Sequence, residues 1–160
     1  MGEKNISLAD RIKVSLATLF GVGYTPLCPG TASCVVAVGV FLIIGNVWLY
    51  AIFTIISVVV SYLVSTRAEE IFAEKDCKKI VIDDFSGQLI TFLFIPRTVD
   101  FLFVLAGFFL FRMLDMLKIY PANKIEKCGG AKGIVGDDVI AGIYSVIILH
   151  LVRFILKTLS

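Results

Sequence analysis

Four short stretches gather acids, cations and glycines at the edges of apolar runs. "VIDDFSGQLI" carries Asp83 and Asp84; "FFLFRMLDMLKIYP" carries Arg112, Asp115 and Lys118. "CGGAKGIVGDDVIAG" carries Lys132, Asp137 and Asp138, and "GVGYTPLCPGTAS" carries Gly30 and Thr31. Charges beside so much apolar sequence are costly unless water, a metal ion or a charged partner receives them. Carboxylates from several stations suit Mg²⁺, which takes oxygen ligands and keeps several waters. Arg112 offers a fork for a phosphoryl group, and Lys118 or Lys132 a mobile point charge. Amides at a helix start near Gly30 and Thr31 can receive an anion. Together these residue types point to metal-assisted chemistry on a phosphate ester.

Each stretch also has a plainer explanation. An aspartate before a helix caps it and suits its dipole, which accounts for one member of each pair and leaves the other unexplained. Arg112, Asp115 and Lys118 follow an i, i+3, i+6 spacing, as in a salt-bridge ladder at a helix end. Thr31 reads as a helix N-cap. Gly129 to Gly136 reads as a flexible loop, and it is no Walker A loop because Gly133 follows Lys132. Cys28 and Cys34 do not make a Cys-x5-Arg phosphatase loop, since Cys34 stands where the arginine belongs. Adjacent aspartates on a helix point about 100° apart, so the members of a pair do separate jobs. One can face a metal while the other holds a base or a backbone amide.

The elements that position these residues are apolar. The chain has 160 residues, 58% of them hydrophobic, with a mean hydropathy of +0.94. Ala32 to Thr66 and Val139 to Val152 contain no charged residue, which reads as membrane-embedded sequence. The expected apolar segments run from Ala32 to Ile44, Val47 to Ser65, Phe85 to Ile95, Val99 to Phe111 and Val139 to about Leu156, with "GN" at Gly45-Asn46 as a turn. A span needs about 20 helical residues, so the first, third and fourth pieces fall short; they tilt and extend, or the third and fourth form a re-entrant hairpin. The N-terminus reads as an amphipathic helix on the membrane surface rather than a signal peptide. The expected fold is all-α: one multi-helical integral membrane domain over residues 1–160, with roughly four to five membrane-embedded helices.

Charge orients that domain. If each piece crosses once, the side with the four polar stretches holds 12 of the 15 Lys and Arg residues; Arg97, Arg153 and Lys157 fall on the other. The positive-inside rule places the crowded side in the cytoplasm. A net charge of +2, with no basic stripe, argues against nucleic acid. The four cysteines lack close spacing and the one histidine, His150, stands alone, which speaks against disulfide and zinc frameworks.

From about Gly21 to Gly142 the chain resembles the phosphatidylglycerophosphatase A family of bacterial membrane lipid phosphatases. The resemblance lies in "PGT", "DDFSG", "FRMLDMLK" followed by a proline, and "GIVGDDVIAG", in that order. The chain departs from the family at Ile82 and Asp84, where Trp and Glu are expected, at "KIYP" and "TASC", and in a glycine stretch one residue longer. The resemblance implies Mg²⁺-dependent hydrolysis of phosphatidylglycerophosphate to phosphatidylglycerol and phosphate at the cytoplasmic face of the bacterial inner membrane. It implies acids at Asp83, Asp84, Asp115, Asp137 and Asp138, with Arg112, Lys118 and Thr31 on the phosphate side. The catalytic set is then Asp83, Asp84, Asp138 and Arg112. The partners are the phospholipid and the bilayer. The alternative is a non-enzymatic membrane protein, a small transporter or assembly partner, that binds cations through the same acids.

Overall fold

The computed structural model describes residues 7–73, 77–125 and 130–159, so Cys128 and Gly129 of the glycine stretch lie outside it. Among the described residues all regular structure is helical, as expected. The elements are α1 (Leu8–Ala17), a 3₁₀ turn (Val22–Tyr24), α2 (Pro29–Ile43), α3 (Val47–Phe72), α4 (Ile82–Thr91), α5 (Phe101–Leu117), α6 (Ala122–Ile125) and α7 (Gly130–Leu159).

Local chemistry sets their ends. Helix α2 starts at Pro29, whose missing N–H costs nothing at the first helical position. Cys28 is therefore the N-cap residue, and Thr31 lies inside the first turn rather than capping it. The Gly45-Asn46 turn holds as expected. Asn46 Oδ1 accepts from the amides of Trp48 (2.9 Å) and Leu49 (3.1 Å), capping α3. Helix α3 overruns the expected apolar segment and continues to Phe72. There Arg67 donates to Asp10 of α1 (2.9 Å) and to Glu70 (2.8 Å), exposed pairs worth little individually.

Helix α4 is the centre of the bundle. It packs against α7, α2, α3 and α5, and of its ten residues only Asp84 escapes full burial. Ten residues rise about 15 Å, half of a bilayer core, so α4 does not itself span a membrane. Helix α5 returns alongside it and brings Arg112 back to Asp84. The far end of this hairpin is aromatic. Phe92 stacks on Phe41 at 4.6 Å, Phe94 meets Trp48 edge-on at 6.2 Å, and the Arg97 guanidinium lies 3.7 Å from the Phe41 ring centre. His150 is a packing residue there, its Nε2 3.0 Å from the Leu93 carbonyl.

Two glycines let α4 and α7 touch. A Cβ on Gly142 would stand 2.6 Å from the Gly87 carbonyl oxygen, and one on Gly87 would stand 2.6 Å from the Phe111 ring. Small residues at a crossing let backbones approach this closely. Helix α7 also begins earlier than expected. Residues 130–136 form its first turns, not a flexible loop, because one face packs beside the acidic cleft and the other against α3 and Ile125 of α6.

Helices α3 and α7, the latter from Lys132 onward, are each long and apolar enough to cross a membrane; α2 is a shorter apolar helix. The outer faces expose Ile55 and Leu63 of α3, Phe109 of α5, and Ile147 and Leu151 of α7. Such broad apolar exposure suits a lipid surface.

Candidate active site

Three helices deliver one carboxylate each to a common point. Asp84 of α4, Asp115 of α5 and Asp138 of α7 each offer an oxygen, and these oxygens lie within 4.8 Å of one another. Arg112 Nη1 donates to Asp84 Oδ1 and, at 3.1 Å, to Asp115 Oδ2. It also lies 3.9 Å from the Cys34 thiol, which in turn donates to the Asp84 carbonyl at 3.8 Å. Gly30 approaches from α2, where any Cβ would overlap Asp84 Oδ2.

The aspartate pairs divide their labour in the same way. Asp83 Oδ1 accepts from the Asp84 amide at 3.0 Å, and Asp137 Oδ1 accepts from the Asp138 amide at 3.1 Å. Each first aspartate thus ties off backbone at its helix position, while each second one turns to the shared centre. Lys118 holds the other oxygen of Asp137 at 3.0 Å. The roughly 100° step between neighbours on a helix makes this division.

The electrostatics disfavour the charged forms of Asp83 and Asp84. Burial, then the neighbouring Asp84, raise the Asp83 carboxyl well above its ordinary range. Asp84 is pushed up to about 6, with burial outweighing the help of Arg112 and Asp115 adding to the rise. Asp138 Oδ1 is buried and has no hydrogen-bond partner. A buried unpaired carboxylate oxygen, facing two other carboxylates, is the arrangement a divalent cation relieves. The all-oxygen donor set fits a hard cation, and Asp84, Asp115 and Asp138 are the residues able to hold one.

These groups line a cleft of about 740 Å³ that also takes in Gly30, Thr31, Asp83, Lys118 and Asp137. Lys132 is elsewhere. It lines a second cleft of about 540 Å³ with Val59, Tyr62 and Val139, on the opposite face of α7. The i, i+3, i+4, i+7 set 132, 135, 136 and 139 turns away from 133, 134, 137 and 138, so one helix cannot present Lys132 and both aspartates to one cavity. Cys34 joins the site without any signal in the sequence, because a small apolar residue inside an apolar run marks nothing. Gln88 is a further residue that sequence reasoning misses. It is fully buried one turn beyond Asp84 with neither side-chain amide atom partnered, and a polar residue inside "FSGQLI" is the available signal.

The sequence profile described as phosphatidylglycerophosphatase A matches residues 15–153. Two relatives named phosphatidylglycerophosphatase A are similar to the chain. The one from Escherichia coli is 32% identical, covering 89% of this chain and 87% of the relative; the one from Haemophilus influenzae is 33% identical, covering 94% of each. A protein of Bacteroides thetaiotaomicron, provisionally named a phosphatidylinositol-3-phosphatase, is 28% identical and covers 91% of this chain and 96% of its own. No solved structure matches the chain.

Proposed function

The chain belongs to the phosphatidylglycerophosphatase A family and is a phosphatase, and on that premise we propose that it hydrolyses phosphatidylglycerophosphate to phosphatidylglycerol and inorganic phosphate. The observation that carries this reading is the meeting of Asp84, Asp115 and Asp138 beside Arg112 in a cleft at the edge of an apolar bundle. In this reading the chain is one catalytic domain of the bacterial inner membrane, multi-pass, with the cleft toward the cytoplasm as the charge bias favours.

Asp84, Asp115 and Asp138 are the residues that would hold Mg²⁺. When bound, the ion supplies positive charge against the phosphoryl oxygens and makes water a better nucleophile at neutral pH. The chain's own groups do the rest. Arg112, released from part of its pairing with the acids, faces the phosphoryl oxygens as a fork. The first-turn amides of Gly30 and Thr31 add the positive end of α2. Lys118 keeps Asp137 in place, and Asp137 keeps the Asp138 backbone in place. Asp83, whose carboxyl burial keeps in the acid form, is suited to give its proton to the departing lipid alkoxide oxygen and then to take the proton that the attacking water loses. The water oxygen bonds to phosphorus as the phosphorus–oxygen bond to the glycerol breaks.

The name of the Bacteroides relative favours a second reading in which the phosphate sits on an inositol head group. The same cleft serves both, since a phosphomonoester on a lipid is the shared feature. Phosphate release from phosphatidylglycerophosphate and from phosphatidylinositol 3-phosphate, each with and without Mg²⁺, separates the two. Equal release by wild type, Asp83→Asn and Asp138→Asn would overturn the site.

A further inference from the structure

The acidic cleft is not polar throughout. Its wall includes Phe108, Phe109 and Met116 of α5 together with Arg112, Asp115 and Lys118. Positions 108, 109, 112, 115 and 116 follow an i, i+1, i+4, i+7, i+8 pattern, a single stripe along one helix face. Over about 12 Å that stripe runs from two phenylalanines through Arg112 and Asp115 to Met116, so its aromatic end lies at Phe108 and Phe109. Phe109 and Met116 are 61% and 76% exposed, so the protein leaves them largely uncovered. Phe108 and Phe109 brace each other edge-to-face at 5.3 Å. Every other flank of the central α4 is closed by packing, apart from Asp84 itself.

We propose that this aromatic end of the cleft receives an acyl chain of the phospholipid, so that the substrate reaches the carboxylates sideways along α5 from the bilayer. The inference rests on the reading of the chain as a lipid phosphatase. The occupant follows from continuity: a molecule whose phosphate meets Arg112 has its apolar part directed along the same stripe, over Phe109 and Phe108. The second cleft lies across α7, lined by Val58, Tyr62, Leu63 and Val139, and shares no residue with the acidic one. A chain there would be cut off from a head group at Asp84. Phe108 and Phe109 are then specificity-determining residues that distinguish a lipid phosphomonoester from a soluble one.

The test compares a long-chain phosphatidylglycerophosphate with its deacylated head group, using the full-length protein in nanodiscs. Burying a phenylalanine against a chain is worth roughly a tenfold change or more in binding. Phe109→Ala is expected to lower the kcat/KM preference for the long-chain lipid about tenfold, mainly through KM, and Phe109→Leu to restore most of it. An unchanged preference in Phe109→Ala overturns the proposal. A second measurement needs no turnover: a phospholipid carrying a photoreactive diazirine on its acyl chain is crosslinked to the wild-type protein and the adduct mapped. Label on Phe108 or Phe109 supports the proposal, and label confined to Met116, Val59, Tyr62 or Val139 overturns it. If the protein releases phosphate from neither compound, the enzymatic reading fails, while the crosslink map still decides where the chain lies.

Discussion

A Cβ added to Gly142 would stand 2.6 Å from the carbonyl oxygen of Gly87. That contact sets how closely α7 approaches α4, and so how closely Asp138 approaches Asp84, each about one helical turn away. The acidic centre therefore depends on two residues that carry no functional group.

Gly142→Ala is expected to push α4 and α7 apart, costing about 1–3 kcal/mol as overpacking does. Activity should fall further than stability, because the carboxylates separate. Gly39→Ala is the control: nothing lies within 4 Å of its Cβ position, so a gain of about 0.5–1 kcal/mol from helix propensity is expected. Thermal unfolding in detergent beside phosphate release reads both. Full activity in Gly142→Ala would show that the glycine contact does not position the site.

Asp138→Asn removes one of the carboxylates that crowd the centre. The metal-free protein should keep its stability to within about 1 kcal/mol, since Asn matches the carboxyl in size and brings no charge to the buried centre. The stabilisation that added Mg²⁺ gives the wild type should vanish, together with phosphate release. Asp137→Asn should keep metal stabilisation while weakening the Lys118 contact. Melting curves with and without Mg²⁺ test both, and a metal-induced shift that survives in Asp138→Asn would remove Asp138 from the ligand set.

The pH dependence follows from Asp84, pushed up to about 6 by burial. Its proton is held more tightly in the folded than in the unfolded chain, so the metal-free fold loses stability as pH rises from the ordinary carboxylate range through about 6. Metal binding requires that proton to leave, so apparent Mg²⁺ affinity should rise about tenfold or more per pH unit below about 6. Calorimetric titrations at several pH values check this. Affinity independent of pH in that window would mean that Asp84 is not protonated without metal.

Arg112→Lys keeps a positive charge but loses the planar group that reaches both Asp84 and Asp115. Roughly a hundredfold loss in kcat is expected, the scale of removing one aligned donor from a developing anion. A change confined to KM would mean that Arg112 serves binding alone.

Much of this site is legible in the order of its residues. The doubled aspartates, the cations after an apolar run and the proline-glycine start of α2 all reflect local chemistry, in which charge beside grease is costly unless used. What the residue order leaves open concerns faces and depth. Lys132 stands five residues before Asp137, yet helix α7 turns it to the other side. Thr31 has the chemistry of a cap, but Pro29 starts the helix two residues earlier. The glycines of 130–136 have the composition of a loop, and only packing against both clefts makes them helical.

The helical, apolar character of the chain and the kinds of residue gathered at one end of its segments follow from residue order alone. Hydrophobic length and charge placement act locally, so composition suffices to read them. It took the packed helices to make α4 a buried half-length helix, to bring Asp84, Asp115 and Asp138 together while Asp83 and Asp137 tie down backbone, and to continue the cleft in an aromatic stripe. Those outcomes depend on which helix faces touch. The touching is set by glycines and ring packing between residues more than fifty positions apart, which no local pattern records.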